Sequence, residues 1–95
     1  MTGIAEIIQS PLFARQKKKL HRQQIKDLDA AVRSILDDPG IGNLKVGDLS
    51  GVRIYKFQSM AQRVLLAYEV EGDRLCLCAF GSHENFYRDL KKYLR

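Results

Sequence analysis

The run Val52–Phe80, VRIYKFQSMAQRVLLAYEVEGDRLCLCAF, decides the fold. It holds three segments dominated by β-branched, aromatic and aliphatic residues, Val52–Phe57, Arg63–Val70 and Arg74–Phe80, and such residues suit a pleated, half-buried surface. Two short breaks separate them, five residues around Ser59 and the turn Glu71-Gly72-Asp73. Connections this short join antiparallel neighbours, so a three-stranded meander is predicted. Side chains alternate between the faces of a strand, which puts Val64, Leu66, Tyr68 and Val70 on one side and Arg63, Leu65, Ala67 and Glu69 on the other. By the same rule Val52 and Ile54 share a face, opposed by Arg53 and Tyr55. The apolar faces are expected to cover helices. Arg53, Tyr55 and Arg63 then lie on an open face, with Lys56 either on the core side near a strand end or swung round by a bulge.

The helices lie upstream. Ile25, Leu28, Val32 and Ile35 recur at spacings of three, four and three, the period of one helix face. Asp37-Asp38-Pro39-Gly40 ends that helix. Before it, Ser10-Pro11 marks another start, because Ser can accept an orphan amide and Pro has the φ of the first helical position. A helix from Pro11 to about Leu20 is predicted, bent into a hairpin near His21, since one continuous rod of ~39 Å would overreach so small a domain. Ile4, Ile7 and Ile8 suggest a first strand, and Gly40–Gly51 a loop. Phe86, Leu90 and Leu94, four apart, suggest a C-terminal helix capped by Ser82. The expected order is β-α-α-β-β-β-α, a small antiparallel α+β fold occupying residues 1–95 as a single domain.

With 95 residues, 45% hydrophobic and 28% charged, the composition is that of one ordinary globular domain, neither disordered nor fibrous. No apolar run approaches the ~20 residues needed to span a bilayer, and no secretory signal opens the chain, so a cytoplasmic protein without membrane contact is expected. Cys76 and Cys78 are the only cysteines. Their spacing in a strand argues against a bridge, too few ligands accompany them for a structural zinc site, and the simpler reading is two thiols packed as small hydrophobes. No metal or cofactor is expected.

The net charge of +5 is unevenly placed: residues 1–26 carry +5, 27–51 carry −3, 52–70 carry +2 and 71–95 carry +1. Such a bias suits a polyanion or an acidic protein partner, while a solvated lysine face is the commoner account of any single run. His83 follows Gly81-Ser82 where a strand gives way to a helix, with Tyr87 four residues on. Helix N-termini favour anions and disfavour an imidazolium, so His83 is either a residue titrating near neutrality or an ordinary surface histidine. A histidine, a tyrosine and fixed cations fit cleavage of RNA by its own 2′-hydroxyl. That reaction needs a base, an acid for the leaving oxygen and positive charge for the phosphorane.

Four stretches carry a family resemblance: KKLHRQQIKDLDAAVRSIL, KVGDLSGVRIYKF, RVLLAYEV and FGSHENFYRDLKKYL. In their order and spacing the chain resembles, over nearly its whole length, the RelE/ParE superfamily of bacterial type II toxins. The resemblance implies a small sheet with an N-terminal helical hairpin, and an acidic antitoxin partner that neutralises the toxin. It also implies one of two activities, ribosome-dependent cleavage of mRNA in the RelE-like branch or inhibition of DNA gyrase without catalysis in the ParE-like branch. By resemblance Arg63 matches the arginine opening the second meander strand and Arg53 a strand lysine. GSHENFY is similar to a segment of the YafQ-like subgroup, which gives His83 and Tyr87 functional roles. Lys17, Lys18, Lys19, Lys56, Arg88 and Lys91 are the expected RNA contacts. The chain departs from the pattern in having Tyr55 where a second strand lysine is usual, and in lacking the additional histidines of YafQ-like members between Val46 and Arg63. Whether Tyr55 or Lys56 stands in for that lysine is left open by the sequence.

Overall fold

The computed structural model describes residues 3–44, 51–82 and Phe86. Five strands and two helices occur among them, in the order β1 (Glu6–Gln9), α1 (Pro11–Lys18), α2 (Arg22–Asp37), β2 (Asn43–Leu44), β3 (Arg53–Ser59), β4 (Gln62–Glu71) and β5 (Arg74–Ser82). The α+β class and the helical hairpin are as expected. The strands form one sheet ordered β1-β5-β4-β3-β2, in which β1 runs parallel to β5 and the other pairs are antiparallel. The expected C-terminal helix lies outside the described residues apart from Phe86. Ser82, its expected cap, is the last residue of β5 and pairs with Val64.

Helix α1 begins as its sequence dictates: Ser10 Oγ accepts the Phe13 amide at 3.0 Å, with Pro11 at the first helical position. The same hydroxyl donates to the Cys78 carbonyl at 2.6 Å. That carbonyl is available because Cys78 is an extra residue in β5: opposite it the register steps from Ala67↔Ala79 to Tyr68↔Leu77, a β-bulge. Further along α1, Gln16 Oε1 accepts the Phe80 amide at 3.0 Å. The hairpin turns without Gly or Pro. His21 is instead the N-cap of α2, and its amide donates to Gln24 Oε1 at 2.9 Å, half of the capping arrangement that starts a helix. Lys17 reaches across to Asp29 at 3.6 Å.

One core lies between the helices and the sheet. Phe13, Leu28, Ala31 and Ile35 meet Leu66, Tyr68, Leu75, Leu77 and Phe80, with Phe13 edge-on to Phe80 at 5.2 Å. The α2 stripe thus packs on the β4 face predicted for it. The other face, expected to be open, is largely covered instead: Val52, Ile54, Leu65, Ala67, Cys78, Ala79 and Phe86 form a second buried cluster. Strand β4 is buried on both sides, which is why VLLAY (64–68) is apolar without alternation.

Because both faces bury apolar groups, hydrophobicity could not say which way β3 points. Tyr55 pairs with Leu66 and Phe57 with Val64, so Arg53, Tyr55 and Phe57 face the helices, while Ile54, Lys56 and Gln58 share the far face with Arg63, Leu65 and Ala67. This reverses the expected orientation of β3. The β3–β4 connection is also tighter than predicted, only Met60-Ala61, at φ values of 53° and 65°. Two successive left-handed residues match the twist of a hairpin but are normally supplied by Asn or Gly, and each non-glycine residue there costs about 1–2 kcal/mol.

Candidate functional site

The far face of the sheet brings Lys56 and Arg63 together. Lys56 pairs with Leu65 and Arg63 with Gln58, so the two cations are diagonal neighbours, about 7–8 Å apart at the backbone, and both are exposed. Leu65 pairs onward with Gly81, completing a row Lys56–Leu65–Gly81. Phe86 lies over the end of that row: a Cβ added to Gly81 would sit 4.0 Å from both the Cα and the Cβ of Phe86. The backbone of β5 ends at Ser82, opposite Val64 and beside Arg63. His83 is the next residue in sequence, and Tyr87 follows Phe86. His83, Tyr87, Arg88 and Lys91 themselves lie outside the described residues.

Arg53 is placed elsewhere. On the helix side, its Nη1 donates to the Gly42 carbonyl at 2.9 Å and makes a longer contact of 3.5 Å with the Gly40 carbonyl. Its expected place beside Arg63 is therefore corrected: the guanidinium fastens the α2–β2 connection. Tyr68 grips the same connection. Its hydroxyl donates to the Pro39 carbonyl at 2.7 Å and accepts the Gly42 amide at 2.9 Å. Burial raises the Tyr68 pKa above its ordinary value, against the lowering effects of the Gly42 amide and the Arg53 charge. Tyr55, also on the helix side, stacks on Phe57 with ring centroids 6.3 Å apart.

Of the cations on α1 and after it, Lys17 is paired with Asp29, whereas Lys18 and Lys19 are exposed. Cys76 is half-buried and Cys78 buried, both as free thiols. The Cys78 thiol is pushed up to about 12, first by burial and then by the Glu69 carboxylate 3.7 Å away. Cys78 packs as a small buried group within the far-face cluster, as expected. Sequence reasoning missed the structural roles of Gln16, Tyr68 and Arg53, each of which satisfies backbone groups remote in sequence and carries no local pattern.

The sequence signature of the ParE-like toxins of type II bacterial toxin–antitoxin systems matches residues 7–91, and the chain belongs to that family. No curated protein matches it significantly. Among solved structures, it is similar to a double arginine mutant of Escherichia coli toxin RelE in the free state (TM-score 0.74, 16% identity, covering 99% of this chain and 95% of that one). It is similar also to the E. coli RelBE toxin–antitoxin complex (TM-score 0.67, 18% identity, covering 82% and 95%). A conserved hypothetical protein of Helicobacter pylori resembles it less closely (TM-score 0.58, 20% identity, covering 82% and 93%). The chain is thus a toxin of the RelE/ParE superfamily. No helix among the described residues is long and apolar enough to cross a membrane.

Proposed function

We propose that this toxin is a ribosome-dependent mRNA endoribonuclease. The observation that carries the reading is the diagonal juxtaposition of Lys56 and Arg63 on the face opposite the helices, next to the strand end that leads into His83. In this reaction the RNA 2′-oxygen bonds to its own phosphorus and the bond from phosphorus to the 5′-oxygen breaks. One proton leaves the 2′-hydroxyl and one is delivered to the 5′-oxygen. His83 transfers a proton, Arg63 and Lys56 stabilise the doubly charged phosphorane, and Tyr87 orients the nucleotide by stacking. Lys56 thus takes the place that the resemblance gave to Arg53. Lys18 and Lys19, with Arg88 and Lys91, hold ribosomal RNA phosphates; Lys17 contributes less because of Asp29. An acidic antitoxin segment neutralises the toxin by covering the cationic face, and the protein works in the cytoplasm.

A second reading has support in the family signature itself, which is that of ParE-like toxins: inhibition of DNA gyrase through the helical hairpin. One experiment separates the two. On programmed ribosomes, His83→Ala and Arg63→Ala are expected to lower single-turnover mRNA cleavage by roughly 10²-fold each, with ribosome affinity nearly unchanged. Intact mRNA with gyrase trapped on DNA, in cells producing the wild type or either variant, would replace the nuclease with the gyrase inhibitor.

A further inference from the structure

On the helix side, at the end of the sheet nearest the β3–β4 turn, lies a cleft of about 130 Å³. Leu28, Phe57 and Phe80 give it apolar walls, and Gln24, Gln62 and Ser82 line it with polar, uncharged groups. Gln24 is held by its oxygen, which accepts the His21 amide; its NH₂ has no partner among the described residues. Gln62 immediately precedes Arg63 and Ser82 immediately precedes His83. By strand alternation Gln62 and Arg63 point to opposite faces, so the cleft and the cation pair are separated by the thickness of one strand.

The wall carrying Gln62 is anchored to α2. Ser59, its partner across the hairpin, donates from Oγ to Asp27 Oδ2 at 2.8 Å, tying the hairpin to α2, and the turn itself holds Met60 and Ala61 at positive φ. A small apolar slot with convergent neutral hydrogen-bonding groups is suited to a flat ligand that brings donors and acceptors on its edge. A leucine-like anchor from a protein would strip water from both amides and replace none of it. A nucleobase satisfies both needs, stacking its face on the aromatic walls while its edge is read. We propose that this cleft is a base-reading subsite, taking a nucleobase one or two nucleotides along the RNA from the phosphate held by Lys56 and Arg63, where the RNA passes round the end of the sheet at the β3–β4 turn, with Gln24 and Gln62 hydrogen-bonding its edge. The proposal rests on the nuclease reading for its substrate.

The test uses Gln62→Met, which keeps size and charge, and Gln24→Glu, which keeps the oxygen that caps α2 and removes the amide donor. With ribosomes carrying a panel of A-site codons, the ratio of kcat/KM between the best and worst codons is expected to fall by about 10-fold in each variant. A general effect of charge or stability would slow all codons alike and cancel in the ratio. Alongside, the side-chain amide signals of Gln24 and Gln62 are followed by NMR while the four nucleoside 5′-monophosphates are added, and are expected to shift with at least one of them. Wild-type cleavage with codon ratios unchanged in both variants overturns the base subsite and leaves the nuclease standing. Nucleotide-induced shifts in a protein that cleaves no codon keep the subsite and remove the nuclease. Shifts with N-acetyl-leucine amide but with no nucleotide assign the cleft to a protein side chain and overturn the proposal.

Discussion

Replacing Tyr68 with Phe tests how the α2–β2 connection is held. The ring is fully buried, so the substitution leaves the packing in place and removes one oxygen with two hydrogen bonds, at 2.7 Å to Pro39 and 2.9 Å to Gly42. The Gly42 amide is buried and loses its partner, a cost of about 1–3 kcal/mol. The Pro39 carbonyl belongs to a half-exposed residue and can be rehydrated, adding about 0.5–1 kcal/mol. The expected loss is therefore about 1.5–4 kcal/mol. With a urea m-value of about 1–1.5 kcal/mol/M, this moves the unfolding midpoint down by roughly 2 M. A pH series sharpens the test. Since the folded-state pKa of Tyr68 is raised, its contribution is complete below the unfolded value near 10 and is lost as pH rises through the folded value. The wild type and Tyr68→Phe should thus differ by a constant amount at neutral pH and converge in strong alkali. A neutral-pH difference under about 0.5 kcal/mol, or one independent of pH into strong alkali, would refute the reasoning.

Other outcomes follow from the same geometry. Gly42→Ala should destabilise strongly, because its Cβ would lie 2.8 Å from the Tyr68 hydroxyl and 3.1 Å from the Ile54 carbonyl oxygen; thermal unfolding reads this directly. Leu28→Ala and Leu66→Ala should each cost about 2–5 kcal/mol in urea unfolding, both being buried in the helix-side core. Arg53→Ala should lower the unfolding midpoint while leaving single-turnover cleavage per folded molecule unchanged, whereas Lys56→Ala should do the reverse. Association with an acidic antitoxin should slow steeply as salt rises; stopped-flow rates that ignore ionic strength would count against electrostatic steering.

The helical hairpin, the meander and the stripe on α2 were legible because each has its own period or punctuation. Ser10-Pro11 even specified the start of α1. The orientation of β3 was not legible, since VRIYKF alternates between two kinds of side chain that are both compatible with burial, and only pairing with β4 fixes which goes inward. The unalternating VLLAY segment does carry the signal: a strand apolar at five consecutive positions is covered on both faces. Taking one face as open places Arg53 beside Arg63 and leaves Lys56 undecided, whereas the pairing with β4 separates the two arginines and puts Lys56 beside Arg63. Arg63 keeps its expected strand and face, while the expected partnership of His83 with Tyr87 rests on sequence. The cleft was illegible because Gln24, Gln62 and Ser82 come from three elements and share no motif.

The bulge at Cys78 has a consequence for synthesis. Ser10 fastens α1 to a carbonyl 68 residues later, and β1 finds its partner only in β5. Contacts between such distant segments form late, after the loop between them has closed. A chain growing from its N-terminus therefore carries its basic first helix without the strand that seats it until β5 has emerged. Premature termination anywhere before Cys78 would yield a polypeptide unable to dock α1, so truncated translation products cannot assemble the toxin's fold.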